Sequence, residues 1–221
     1  YVVELAAKGA HLIDVRTEAE VAQGLIDGAI HMIGGRAPKG TRNQDWQDQT
    51  DTGAHWRYDP TADKWEARAP LPVPRNSAAG AVAGGELYVL SGRTVASGNT
   101  PLCHAYDPEA DTWREIAPMP NMTKGAPAGR GGHAAAVIPE RGIGVFGGEW
   151  FGDTSGVYPD NLVYDPARDR WRGYAPPMPR PRHGLGAVTL GGATYVIGGA
   201  TQAGAAGTCA FIERFDRTQQ G

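Results

Sequence analysis

Tyr106-Asp107-Pro108-Glu109-Ala110-Asp111-Thr112-Trp113 decides how this chain is read, because the same phrase occurs twice more. Tyr58-Asp59-Pro60-Thr61-Ala62-Asp63-Lys64-Trp65 and Tyr164-Asp165-Pro166-Ala167-Arg168-Asp169-Arg170-Trp171 align with it without a gap, and five of the eight positions are identical in all three. A fourth copy opens at Phe215-Asp216, and the sequence ends at Gly221 before any tryptophan. The Asp-Pro-x-x-Asp stretch reads as a turn, since an Asp side chain bonds nearby backbone and Pro fixes φ at the bend. Tyr then closes one strand and Trp opens the next, where a large aromatic can wedge against an adjacent sheet.

A second signature interleaves with the first. An apolar run ends in small residues at His31-Met32-Ile33-Gly34-Gly35, Tyr88-Val89-Leu90-Ser91-Gly92, Gly144-Val145-Phe146-Gly147-Gly148 and Tyr195-Val196-Ile197-Gly198-Gly199. An arginine precedes the last glycine of each by 17 to 19 residues: Arg16, Arg75, Arg130 and Arg182. These arginines recur at spacings of 59, 55 and 52 residues, a period that belongs to repeat architectures.

Within the second repeat the physics predicts four short strands. Residues 78–83 are small and apolar, Gly84-Gly85 is a two-residue hairpin turn, and Glu86 to Leu90 is the returning strand. Cys103 to Tyr106 is the third strand, and Thr112-Trp113-Arg114 starts the outer one. One such sheet cannot bury both its faces; stacking sheets around an axis does so, which is the propeller solution.

Gly-Gly, Tyr-Asp-Pro and Trp at these spacings resemble kelch repeats, within the galactose-oxidase-like group of propellers. The resemblance covers residues 16 to 221 and implies an all-β kelch-type β-propeller of about four four-stranded blades, either a closed ring or part of a larger one. Repeats start near 16, 75, 130 and 182, preceded by an N-terminal segment over residues 1–15. A strand at residues 10–15 would pair with the last repeat and close the ring. An incomplete ring would instead expose an apolar edge and self-associate.

Residues 11–32 also resemble the start of a rhodanese domain, with Asp14-Val15-Arg16 and Gly28-Ala29-Ile30. Such a domain needs a thiolate nucleophile. No cysteine precedes Cys103, which already falls in a kelch strand, so the likeness is read as coincidental. The same segment fits the repeat: Arg16, an inner strand near Glu20 to Leu25, and Asp27-Gly28 as the hairpin turn.

Composition narrows the remaining classes. The 221 residues carry a net charge of −3, with 32 Gly and 17 Pro, which points to turns rather than long helices. The absence of a basic block argues against nucleic acid as a partner. No apolar run reaches the length of a membrane span, and no signal peptide is visible at Tyr1, although bacterial kelch proteins are often exported. Cys103 and Cys209 fit neither a metal motif nor a disulfide framework. The six histidines form no His-x-His pair, so no metal and no cofactor is expected.

Function is sought on the face carrying the long connections: Arg36 to His55, Arg93 to Leu102, Glu149 to Asn161 and Ala200 to Thr208. Residues directly after the glycines leave the second strands there, so Arg36, Arg93 and Glu149 are candidate ligand groups, joined by the repeat arginine Arg130. The structural alternative is that Arg16, Arg75, Arg130 and Arg182 bond backbone carbonyls between blades. Trp150, Phe151 and Tyr158 could stack on a sugar. The resulting reading is a binding module for a protein or an acidic or neutral carbohydrate. The alternative is a sugar-acting enzyme, implied by resemblance to sialic-acid mutarotases (N-acetylneuraminate epimerases). There Arg36, Arg93 and Arg130 would clamp a carboxylate and Glu149 would move the proton.

Overall fold

The computed structural model describes residues 29–174, 176–204 and 206–216. The ring-closing strand expected within residues 1–15, the repeat arginine Arg16 and the turn at Asp27-Gly28 lie outside them. Four antiparallel sheets follow one another along the chain. The first contains β1 (Ile30–Ile33), β4 (His55–Asp59) and β5 (Lys64–Ala67), with a small ribbon of β2 (Arg36–Pro38) and β3 (Gln49–Asp51) inserted between β1 and β4. The second is ordered β6 (Ala79–Ala83), β7 (Glu86–Leu90), β10 (Cys103–Asp107), β11 (Thr112–Ile116), with the ribbon β8 (Arg93–Thr94) and β9 (Gly98–Asn99) after β7. The third repeats that order with β12 (Ala134–Ile138), β13 (Gly142–Phe146), β16 (Asn161–Asp165) and β17 (Arg170–Tyr174), and the ribbon β14 (Glu149–Trp150) and β15 (Gly156–Val157). The fourth holds β18 (Gly186–Leu190), β19 (Ala193–Ile197) and β20 (Ile212–Phe215).

The strands expected in the second repeat are these, with β6 starting one residue later and β10 ending one residue later. Gly84 and Gly85 both take positive φ, +59° and +84°, as the hairpin requires. In the repeated eight-residue phrase the first Asp makes the turn: Asp107 Oδ1 accepts the amides of Glu109 and Ala110. The second Asp takes a left-handed φ and holds the tyrosine, with Tyr58–Asp63, Tyr106–Asp111 and Tyr164–Asp169 hydroxyl–carboxylate bonds of 2.7, 2.6 and 2.7 Å.

The same phrase joins sheet to sheet. Trp113 Nε1 donates to the Ala69 carbonyl at 2.7 Å while Asp111 accepts the Ala69 amide at 2.9 Å. One repeat later Trp171 and Asp169 clasp Ala117 in the same way, at 2.8 and 2.7 Å. Between sheets lie three apolar layers. Leu87 and Tyr106 pack towards Ile33 of the first sheet and Ala69 just beyond its last strand. Tyr88, Leu90 and Cys103 meet Ile143, Val145 and Tyr164. Phe146 and Val163 meet Val196 and Phe215. Central strands such as β7 are therefore apolar on both faces, because each face meets a neighbouring sheet.

Near the axis the chain steps from repeat to repeat through backbone bonds. The Gly132 amide donates to the Ser77 carbonyl and the Gly184 amide to the Gly132 carbonyl. The last glycine of the first three strand-end motifs does likewise: Gly35 to Arg75, Gly92 to Arg130 and Gly148 to Arg182, at 2.8, 2.9 and 3.0 Å. A Cβ at Gly92 would lie 2.8 Å from the Asn76 carbonyl oxygen, so the position admits no side chain.

Among the described residues these sheets are consistent with the blades of an incomplete β-propeller. Its end sheets leave apolar side chains in solvent: Trp56 in the first and Leu190, Ile197 and Ile212 in the fourth. Among the described residues no helix is long and apolar enough to cross a membrane.

Candidate functional site on the long-loop face

The repeat arginines have a structural place. Arg75, 1% exposed, donates to the carbonyls of Ser91, Val73 and Val89 and to His104 Nδ1. Arg182 repeats this with Gly198, Arg180 and Val196, adding an ion pair to Glu213 at 2.8 Å. The side chains thus bond carbonyls of their own blade rather than bridging blades, which corrects the expectation. Only their backbone carbonyls receive the preceding blade's glycine amide. Burial pulls the Arg75 guanidinium down to about 10 and the adjacent His104 down to about 4.

Arg130 belongs to this structural set. Its guanidinium donates to the carbonyls of Gly147 and Asp160, pairs with the Asp160 carboxylate, and lies 4.5 Å over the Tyr158 ring. Tyr158 is itself 1% exposed, and its hydroxyl donates to the Pro127 and Gly129 carbonyls. Burial raises that hydroxyl to about 12. Trp150 packs on Tyr158 with ring centroids 4.8 Å apart. Arg130 and Tyr158 are therefore occupied within the third blade and do not present free groups to a ligand.

Arg36, Arg93 and Glu149 each directly follow the last glycine of a strand-end motif and start a ribbon. Glu149 is only 3% exposed and gathers three blades. Its Oε1 pairs with Arg93 Nη2 at 2.9 Å; its Oε2 accepts the Gly204 amide at 2.8 Å and lies 3.3 Å from His183 Nδ1. The Glu149 carbonyl accepts the Asn99 side-chain amide at 2.9 Å. The carboxylate thus meets one arginine, one histidine and one backbone amide.

Beside this hub runs a ladder of cations and rings. The Arg36 guanidinium lies 4.6 Å over Trp46; Arg93 lies 5.4 Å from the same indole and 5.6 Å from Phe151. Trp46 is anchored by its Nε1–H to the Val95 carbonyl at 3.1 Å, tying the first blade's loop to the second's. Asp51 reinforces that junction, accepting the Asn76 side-chain amide at 2.6 Å and the Val95 amide at 2.7 Å. Arg36 and Phe151 are exposed at the two ends.

Sequence reasoning did not single out Trp46, Asn99, His183 or Asp51. Trp46 carried a signal: it is a lone indole in a polar loop, outside the register of the repeat tryptophans. His183 directly follows a repeat arginine, but nothing in that spacing shows that Glu149 is its neighbour.

A β-propeller built on glycine pairs, Tyr-Asp-Pro turns and interlocking tryptophans defines a class of repeat protein that presents loops from a rigid ring. Residues 16–209 match the KLHDC2/KLHL20/DRC7 Kelch-repeats domain, and the chain belongs to the kelch-repeat family. It is 29% identical over 182 residues to Kelch-like protein terF of Aspergillus terreus, covering 82% of this chain and 38% of that protein. It is 32% identical over 148 residues to Kelch-like protein 35 of Mus musculus, covering 67% of this chain and 23% of that protein. The chain thus spans well under half the length of these relatives.

Proposed function

We propose that this chain is a protein-binding kelch module whose long-loop face holds an extended partner segment carrying a carboxylate. The observation behind this reading is the ladder Arg36–Trp46–Arg93–Phe151, which crosses three blades. A guanidinium held over an indole still has N–H donors to offer, in the fork that suits a carboxylate. Arg93 is already neutralised by Glu149, whereas no described carboxylate pairs with Arg36. Exposed Phe151 offers an apolar contact to a flanking residue of the same segment. The kelch-like relatives support an interaction role for the class.

The test is calorimetric titration with a short peptide of alternating Glu and Leu and with its Lys–Leu counterpart. The Glu–Leu peptide binds, more weakly at high salt, and Arg36→Ala reduces its affinity about tenfold, as loss of a charge-assisted bond implies. Equal binding of the Lys–Leu peptide, or an Arg36→Ala variant that binds as the parent does, overturns the reading.

A further inference from the structure

The opposite face of the third blade departs from the repeat at one place. In the second and fourth blades the hairpin between the first two strands is Gly84-Gly85 and Gly191-Gly192; in the third it contains Glu140-Arg141. Glu140 takes φ +65°, a conformation that the other two hairpins give to glycine. In the adjoining turn, Arg168 stands where the other copies have Ala62 and Ala110, and Arg170 where they have Lys64 and Thr112. Arg172 aligns with Glu66 and Arg114.

The partners of these arginines differ as well. In the second blade Arg114 is neutralised by Glu86, with bonds of 2.7 and 3.0 Å. The register places Gly142 of the third blade at the position of Glu86, since Tyr164 pairs with Ile143 as Tyr106 pairs with Leu87. Gly142 is required there: at φ +121° a Cβ would fall 2.0 Å from the Tyr164 carbonyl oxygen. Arg172 consequently donates to the Arg141 carbonyl instead of to a carboxylate. Asp165 is engaged by Arg168 at 2.9 Å and by the Ala167 amide. Among the described residues, Arg170 and Arg172 have no carboxylate partner.

These side chains line a shallow groove of about 590 Å³, walled by Arg141, Arg168, Arg170 and Arg172 together with Glu140 and Asp165. Four guanidinium groups against two carboxylates leave the groove positive on a chain whose net charge is −3. Neither the interlocking of blades nor the loop-face ladder uses it.

We propose that this groove is a second binding site, for a phosphate-type oxyanion. Guanidinium groups grip the oxygens of a tetrahedral anion in pairs, and two arginines without carboxylate partners supply the charge a dianion needs. The same chemistry serves a free polyphosphate or a phosphorylated side chain of a partner protein, and the two sources separate by experiment.

The experiment is calorimetric titration of the whole chain with inorganic pyrophosphate and with a short phosphoserine peptide, beside its unphosphorylated form. Three variants accompany it: Arg170→Ser with Arg172→Ser, Arg114→Ser as the second-blade control, and Arg36→Ala on the other face. Binding of pyrophosphate alone marks a free oxyanion site, and tighter binding of the phosphopeptide marks a phosphoprotein. In either case the Arg170/Arg172 variant loses at least about tenfold in affinity, as removal of charge-assisted bonds implies, while Arg114→Ser and Arg36→Ala leave it unchanged. Arg170 and Arg172 are exposed, so circular dichroism of the double variant stays that of the parent. The proposal is overturned if neither phosphate probe binds, if the unphosphorylated peptide binds equally, or if the control variants lose as much as the double variant.

Discussion

Arg93 and Glu149 stand on different blades, 56 residues apart in sequence, and meet at 2.9 Å in an ion pair that solvent scarcely reaches. That pair makes the loop face a single surface, because Glu149 also receives the Gly204 amide from the fourth blade. Glu149→Gln keeps the shape and removes the charge. Breaking one half of a buried pair leaves the other uncompensated, and about 3 kcal/mol of unfolding free energy is lost. Urea denaturation measures the loss, and amide exchange rises first in residues 200–204.

Trp113 and Trp65 occupy the same repeat position, yet only Trp113 donates across a described blade boundary, to Ala69. Trp113→Phe removes one half-buried hydrogen bond and destabilises by about 1 kcal/mol. Trp113→Ala also removes a partly buried ring that packs on the core, and costs about 3 kcal/mol. Trp65→Phe costs less than Trp113→Phe. Chemical denaturation of the three variants gives the order.

Arg75 holds three carbonyls and a histidine nitrogen without any carboxylate. Arg75→Ala leaves buried acceptors unsatisfied, at about 1 to 3 kcal/mol each, and the protein is severely destabilised. Arg75→Lys recovers part of the loss, since an ammonium cannot span the same fork. Thermal melts distinguish the three proteins.

Acid weakens the fold through buried neutral histidines. Burial lowers His133 to about 3 and His104 to about 4, against an ordinary value of 6.5, and lowers His55 in the same direction. Between those values the unfolded chain binds protons that the folded chain refuses. Stability is thus full above 6.5 and falls with pH by about 1.4 kcal/mol per unit for each histidine until its folded value is reached. Carboxylates held below their ordinary value of 3.8, Asp111 by the Tyr106 hydroxyl and Asp169 by the Ala117 amide, add their loss only as pH drops further. Melting temperature followed from pH 7 to 4 declines, and His133→Gln flattens the decline.

What repeats could be read, and what does not repeat could not. The Tyr-Asp-Pro phrase announced its own turn because every bond inside it is local: Asp107 to Glu109 and Ala110, Tyr106 to Asp111. The strand-end glycines were legible because all take positive φ, and at Gly34, Gly92, Gly147 and Gly199 a backbone oxygen also lies too close for a Cβ. The repeat arginines were recognised by spacing, but whether their bonds lay within or between blades was not, because that depends on side-chain direction. The loop face was placed by alternation of strands, whereas its contents were not. Trp46 meets Val95, and His183 meets Glu149, only because loops of different blades fold over one axis. Those loops carry no period to align. Arg130 stood as either a ligand group or a structural arginine; its pairing with Asp160 was not legible, because Asp160 lies in a loop without a motif.

The most direct measurement of the central claim is amide hydrogen exchange with and without the Glu–Leu peptide. Protection is expected in residues 36–51, 93–99 and 149–157, and none in the turns at 84–85, 140–142 and 191–192. Protection confined to those turns, or spread evenly over both faces, would contradict it.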